Sequence, residues 1–226
     1  MKTALVTGSN RGIGLELVKQ LLARGERVIA ACRTPSDELA ALVAENANLV
    51  IVDNIDVAAA ASAKTLAEKV DGETIDTLIL NAGIFLHGDR AADPDFDGIQ
   101  TQLEVNAIGA LRSAVALLPR LAPHAKVAFV SSRMGSIGDN GSGNYYGYRM
   151  SKAALNMGAV SLAKDVASRG IAVTVLHPGM VKTDMTRGQG NVDADVAVRG
   201  LLARIDELTV KTSGGFWHAN GEQLPW

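Results

Sequence analysis

Short apolar runs alternate along this chain with longer stretches in which apolar residues recur at helical spacing. The runs are continuous rather than alternating: Ala4-Leu5-Val6, Val28-Ile29-Ala30-Ala31, Leu49-Val50-Ile51-Val52, Thr77-Leu78-Ile79-Leu80, Lys126 to Ser131, and Ala172 to Leu176. Strands of this kind are buried on both faces, which places them in a parallel sheet covered by helices on either side. The intervening stretches supply the helices. From Gly14 to Ala23, Leu15, Leu17, Val18, Leu21 and Leu22 form one apolar face, and Gly25 ends the helix. Alanine-rich patterns predict helices over Ala58 to Val70 and Ile99 to Leu118, and Pro119 stops the second. No composition shift, linker, repeat or low-complexity tract divides the chain. The expected architecture is an α/β single-domain Rossmann fold over residues 1–226, a doubly wound parallel sheet with helices on both faces.

Composition narrows what such a fold can do. The 226 residues carry 22 basic and 24 acidic side chains, a net charge of -2, and no basic block, so nucleic acid is excluded as an expected partner. Cys32 is the only cysteine, which rules out an internal disulfide and a cysteine-based metal site. His87, His124, His177 and His218 are scattered without ligand spacing, so no metal is expected, and His177, ahead of Pro178 at a strand end, reads as structural. Apolar runs are too short to span a bilayer, and the first strand runs into a glycine turn rather than a signal-peptide core. The expectation is a cytoplasmic protein that does not engage membranes.

Gly8, Gly12 and Gly14 follow the first strand and open the first helix, in the loop Thr7-Gly8-Ser9-Asn10-Arg11-Gly12-Ile13-Gly14. Glycine lets the backbone approach a pyrophosphate, and a helix N-terminus offers unpaired N–H groups to it. In such folds a carboxylate ending the second strand binds the ribose of NAD, whereas an arginine there accepts the extra phosphate of NADP. Here the second strand runs into Cys32-Arg33-Thr34, with no carboxylate. Arg11 and Arg33 can converge on one phosphate, so NADP(H) is expected over NAD(H).

Tyr148 and Lys152 share a helical face at i, i+4 spacing. An ammonium beside a phenol favours the phenolate, so the pair predicts a tyrosine tuned below its usual pKa of about 10 and able to exchange a proton with an alcohol. Tyr145 and Tyr146 serve as controls: at the same offset they have Arg149 and Met150. The glycine- and asparagine-rich segment from Asp139 to Tyr146 reads as an active-site loop.

Along nearly its whole length the chain resembles the short-chain dehydrogenase/reductases. The match rests on Thr7 to Gly14, Asn81-Ala82-Gly83 (with Leu80 in place of a first asparagine), Val105-Asn106-Ala107, Ser131-Ser132, Tyr148 with Lys152, and Pro178-Gly179 followed by Thr183. Within the family it is most similar to the C-factor and sniffer-type carbonyl reductases. The residues are Ser131 to Ile137, Tyr146-Gly147-Tyr148-Arg149, and the ending from Gly214-Gly215-Phe216-Trp217 to Leu224-Pro225-Trp226. The resemblance implies that Tyr148 is the general acid in carbonyl reduction, that Lys152 lowers its pKa and binds the nicotinamide ribose, and that Ser132 holds the carbonyl oxygen. Asn106 would hold a water linking Lys152 to solvent. Ser132 directly follows the strand and is favoured over Ser136 as the catalytic serine.

The cofactor residues implied are Gly8, Asn10, Arg11, Gly12, Ile13, Gly14, Arg33, Asp56, Val57, Asn81, Ala82, Gly83, Pro178, Gly179, Val181 and Thr183, together with Tyr148 and Lys152. Asp56 is the favoured register for the residue near the adenine, Asp53 the other. Ile84, Phe85, Met134, Tyr145, Met180 and Met185 are candidate substrate walls. The cover, Asp184 to Ala197, is short and polar and predicts an open site for a small or medium aldehyde or ketone, or the matching alcohol. A homodimer or homotetramer is expected through the helices carrying Asn106 and Tyr148, with Ala153, Ala154, Leu155, Met157 and Val160 as the seam or the core. Two other readings are a dinucleotide-binding signalling or sensor protein with little turnover, and a methyltransferase, which leaves Tyr148 and Lys152 unexplained.

Overall fold

Alternate residues of a strand point to opposite sides of its sheet, and here both sides are dry. Leu5, Ile29, Leu78, Val127, Phe129, Val173 and Val175 meet one helical layer, while Ala4, Val6, Val28, Ala30, Ile79, Ala128 and Leu176 meet the other. That arrangement is why the strands read as unbroken apolar runs. The computed structural model describes residues 1–226 and sets seven parallel strands in one sheet. The strands are β1 (Thr3–Thr7), β2 (Arg27–Ala31), β3 (Leu49–Val52), β4 (Ile75–Leu80), β5 (Leu121–Val130), β6 (Ala172–His177) and β7 (Gly215–His218), in the spatial order β3-β2-β1-β4-β5-β6-β7. The helices are α1 (Gly12–Ala23), α2 (Asp37–Glu45), α3 (Ala60–Lys69), α4 (Phe96–Leu103), α5 (Gly109–Leu117), α6 (Tyr146–Asp165) and α7 (Ala194–Glu207). Helices α3, α5 and α6 cover one face; α1 and α7 cover the other. The order reverses between β1 and β4, opening a crevice at the C-terminal ends of the strands where ligands of such sheets bind.

Two elements escape the pattern. β7 is four residues long and flanked by glycine, too short to announce itself, yet it pairs in register with β6 from Thr174↔Gly215 to His177↔His218. α2 buries only Leu39, so its apolar periodicity is faint; Ser36 caps it by accepting the Leu39 N–H. Other boundaries move. β5 starts at Leu121 rather than Lys126, because its register against β4 shifts between Ile75 and Thr77. α7 starts at Ala194, three residues ahead of the expected end of the cover. The helix expected over Ile99 to Leu118 is α4 and α5 joined through a π-helical segment, Glu104–Ile108, with Asn106 at its centre. Pro119 sits in a 3-10 turn, Leu118–Arg120, that ends α5. No helix is long and apolar enough to cross a membrane.

Phe129 lies on central β5 and is fully buried. Phe129→Ala should lower the unfolding free energy by about 3–5 kcal/mol, while Phe96→Ala, 72% exposed, should stay within about 0.5 kcal/mol of the parent. Urea titration followed by circular dichroism checks both.

Candidate active site

The glycine loop is held from both sides: Ser9 Oγ donates to the Ala31 carbonyl at 3.1 Å, and the end of β4 packs against it. Gly8 has φ +65, and a Cβ there would lie 2.7 Å from the Ala82 Cα. Only glycine fits that close approach in that conformation. Thr7 Oγ1 accepts the N–H groups of Asn81 and Ala82 at 3.1 and 3.2 Å, and Asn81 Nδ2 donates to the carbonyls of Thr7 and Gly8 at 3.1 Å each. These bonds staple the ends of β1 and β4 together at the switch point. The Asn81 side chain is therefore spent on shaping the loop. A Cβ on Gly14 would run into the Gly8 carbonyl, and one on Gly12 would touch Thr183 Cγ2 at 3.4 Å, so the loop also abuts the segment after β6.

This cradle fits a dinucleotide. α1 begins with no side-chain cap and no acidic residue in its first turn, which leaves its N–H groups and dipole to an anion. Asn10 is fixed through its carbonyl, which accepts from Ser36 Oγ at 2.6 Å. Ile13 is half-buried against the core layer. Arg33 is exposed just past β2, and Arg11 reaches across to Asp184 at 3.4 Å. Asp53 is tied to Lys69 at 3.2 Å, whereas half-buried Asp56 uses Oδ1 only on the Ala58 N–H, so the expected Asp56 is the carboxylate with capacity to spare. Val57 backs onto α5, where a Cβ on Gly109 would strike its carbonyl. Pro178 and Gly179 (φ +89) follow β6 directly, and buried Val181 pairs with Val192.

The proposed catalytic residues converge at the ends of β4, β5 and the start of α6. Lys152 is buried, and its Nζ donates to the Val130 carbonyl at 3.0 Å. Its ammonium stands 5.7 Å from the Tyr148 ring centroid. Asn106 is fully buried: Oδ1 accepts the Ile84 N–H at 2.7 Å, while Nδ2 donates to the Ile84 carbonyl at 2.9 Å and Ser151 Oγ at 3.0 Å. Its amide thus clamps the strand-end backbone, a task the sequence does not announce, and Ser151 is an unforeseen partner. A Cβ on Gly83 would lie 3.2 Å from Asn106 Oδ1 and 3.6 Å from Lys152 Nζ, so glycine keeps the lysine's corner open. Ser132 caps a 3-10 turn by accepting the Met134 N–H at 3.2 Å, and its hydroxyl acts on Tyr148. Ser136, the alternative, spends its hydroxyl on the Asp139 N–H at 3.0 Å.

The electrostatics correct one expectation. The Tyr148 phenol is pushed up to about 12, not below its ordinary value: burial penalises the phenolate, and only the Ser132 hydroxyl pulls the other way. Lys152 does not offset this, because its ammonium is turned to the Val130 carbonyl and is itself pushed down to about 8 by burial. At neutral pH the pair is a neutral phenol beside an ammonium. His177 is pushed down to about 3, chiefly by burial and then by His218, whose ring meets it edge-on at 4.9 Å.

Around Tyr148 the expected walls separate into two groups. The Phe85 ring packs 4.6 Å from Tyr148 and 5.5 Å from Tyr145, and His87 lies 4.3 Å from Phe85 on the other side. Met134 is half-buried, its carbonyl taking Arg149 Nη1 at 3.3 Å. Met180 and Met185 are exposed at 54% and 39% on the segment after β6, and Ile84 serves as the backbone partner of Asn106. Tyr145 is left-handed at φ 53, which costs a non-glycine residue on the order of 1–2 kcal/mol.

Comparison with known proteins agrees with this geometry. The short chain dehydrogenase family profile matches residues 2–193. A 1-hydroxy-2-glutathionyl-2-methyl-3-butene dehydrogenase of Rhodococcus sp. (strain AD45) is 40% identical over 232 residues, covering 100% of both chains. The C-signal protein of Myxococcus xanthus is 40% identical over 165 residues, 72% of this chain and 99% of its own. Among solved structures, the carbonyl reductase Sniffer of D. melanogaster superposes with a TM-score of 0.93 at 30% identity over 100% of both chains. An NADPH-bound carbonyl reductase from chicken fatty liver gives 0.91 at 33% identity over 100% of this chain and 99% of its own. The match to the family profile over most of the chain, with relatives and solved structures similar over its whole length, shows that the chain belongs to the short chain dehydrogenase family, on its carbonyl reductase-like side.

Proposed function

We propose that this chain is an NADPH-dependent reductase of aldehydes or ketones in which Tyr148 is the general acid. The observation that carries this reading is the convergence of Ser132, Tyr148 and Lys152 at the C-terminal edge of the sheet, next to an uncapped helix N-terminus shaped for a pyrophosphate. The nicotinamide cofactor, when bound, supplies the hydride. Ser132 and Tyr148 hold the carbonyl oxygen from two sides, and the Tyr148 O–H gives up its proton as charge develops there. Lys152 holds positive charge beside the phenol, and Asn106, close to Lys152 Nζ across Gly83, supports a route for proton return. Arg11 and Arg33 are the groups proposed to take the extra phosphate of NADP. The Rhodococcus relative, by its name a dehydrogenase of a hydroxylated glutathionyl compound, suggests that the same site can run toward oxidation. Self-association through α6 and through α5 with the π-helical segment that carries Asn106 is also proposed: Ile108, Val115, Met150 and Met157 are exposed apolar residues there, while Leu155 belongs to the core.

The C-signal relative motivates a second reading, a dinucleotide-binding signalling protein with little turnover. The complete set of Asn106, Ser132, Tyr148 and Lys152 argues against it, since binding alone does not require a phenol, a hydroxyl and an ammonium at one carbonyl-sized position.

Three measurements test the proposal. Tyr148→Phe should lower kcat for carbonyl reduction by about 10²- to 10⁴-fold with NADPH affinity nearly unchanged; tight NADPH binding without turnover on any carbonyl in the parent protein would favour the signalling reading. Arg33→Glu should weaken NADPH binding by about 10- to 100-fold, the worth of a charge-assisted hydrogen bond, and leave NADH binding unaffected; equal losses for both would remove Arg33 from the phosphate. The pH dependence follows from the two shifted groups. Lys152, lowered to about 8, carries its charge below that pH, and Tyr148, raised to about 12, keeps its proton throughout. Reductive kcat should hold level through neutrality and fall as pH rises past 8, while alcohol oxidation, for which the neutral Lys152 amine becomes the proton acceptor behind Tyr148, should rise over the same range.

A further inference from the structure

α6 carries both Tyr148 and Lys152. The Arg149 guanidinium in its first turn ties down the entry loop, donating to the Gly143 and Asn144 carbonyls at 3.2 and 3.1 Å and to Ser142 Oγ at 2.9 Å, but no side chain of the helix caps its first N–H groups. Three successive residues lead into it with positive φ: Gly143 at 63, Asn144 at 55 and Tyr145 at 53. Tyr145, at the N-cap, offers no side-chain hydrogen bond. The missing partner comes from the loop after β4. The Asp89 carbonyl accepts the Tyr145 N–H at 3.0 Å, and the Asp89 carboxylate accepts the Gly147 N–H through Oδ2 at 2.6 Å. Gly147 is the residue immediately before Tyr148. One residue thus grips the helix entry at two points, the N-cap and the second residue of α6.

The grip is placed in the interior. Asp89 is 5% exposed, and its second oxygen, Oδ1, is shielded from solvent without any hydrogen-bond partner. Burying a carboxylate with one oxygen unpaired is unfavourable, and a short neutral cap such as serine would avoid it. The surroundings are equally committed. Buried Gln102, on α4, accepts the Leu86 N–H at 3.0 Å. A Cβ on Gly147 would run into Gln102 Nε2 and stand 3.0 Å from the Ile99 Cα, so α6 is pressed onto α4 at this point. The same short segment that ends at Asp89 begins with Phe85, whose ring packs on Tyr148 and Tyr145.

From this geometry we infer that Asp89 is a positioning residue for the proton donor: by holding the N–H groups of Tyr145 and Gly147, it sets the Tyr148 phenol and the Phe85 wall in one register. The inference rests on the reading of Tyr148 as the general acid. An asparagine at position 89 still presents an acceptor to Gly147; an alanine presents none.

The test compares Asp89→Ala, Asp89→Asn and Tyr148→Phe with the parent for kcat, carbonyl KM, NADPH Kd, and amide hydrogen exchange of the peptide spanning residues 143–150. Asp89→Ala should lose at least about tenfold in kcat, keep NADPH Kd within about twofold, and exchange faster at Gly147 while the later turns of α6 stay protected. Asp89→Asn should recover kcat to within about threefold of the parent. A folded Asp89→Ala with parental kcat overturns the inference, as does an Asp89→Asn that loses as much as alanine, or a loss shared equally by kcat and NADPH affinity. If Asp89→Ala does not fold, Asp89→Asn decides: a protected Gly147 amide with near-parental kcat supports the inference, and an unprotected amide with parental kcat overturns it. Full turnover in Tyr148→Phe sinks the acid assignment, and with it the consequence drawn here; a slow Tyr148→Phe beside an undisturbed Asp89→Ala sinks the positioning role alone.

Discussion

Lys152 brings an ammonium into the dry interior with no carboxylate to neutralise it, and much of the site is organised around that choice. Its Nζ is received by the carbonyl that ends β5, one residue before the serine pair. A β-strand end can offer such a carbonyl only where the next strand does not use it, which is the C-terminal edge of a parallel sheet. Gly83 leaves the space, Asn106 closes it from behind, and α6 must run along the strand ends to deliver the side chain. A buried charge of this kind is expensive unless hydrogen-bonded. The fold tolerates it because two large apolar layers, one on each face of the sheet, supply the stability elsewhere.

The two halves of the site are joined by a few polar side chains bonded to the strand-end backbone. Thr7 and Asn81 tie β1 to the end of β4, and Asn106, from the π-helical segment, ties Ile84 in the loop after β4 to Ser151 on α6. The cofactor cradle and the proton-donor corner are therefore consecutive stations on one rim. A displacement at either end must pass through the segment from Asn81 to Ile84, which is bonded on both sides.

Much of this was legible in the chain. Continuous apolar runs told of a parallel sheet, and the positions of Gly8, Ser132, Tyr148 and Lys152 relative to those runs placed the chemistry at strand ends. What stayed hidden has physical causes. β7 is too short, and α2 too polar, to leave a periodic trace. The i, i+4 spacing of Tyr148 and Lys152 tells that they share a face, but not where the ammonium is aimed; the Val130 carbonyl, invisible in any one-letter string, takes it. Asp89 and Ser151 matter through bonds to residues 58 and 45 positions away, which no local pattern reports.

The π-helical segment around Asn106 has a consequence for how this region can change. A π turn holds one more residue than the α-helical turn it interrupts, so α4 and α5 present faces that differ by about a third of a revolution from an uninterrupted helix. α4 uses its face to meet α6, and α5 uses its own to meet α3 and Val57. Away from Asn106, which makes three hydrogen bonds, substitutions along the segment leave this rotation in place. A deletion of one residue would regularise the helix, yet rotate one of the two faces away from its neighbour and swing Asn106 off Ile84. Chain length is thus tightly constrained between Glu104 and Ile108, and Asn106 is the position there where identity counts as well.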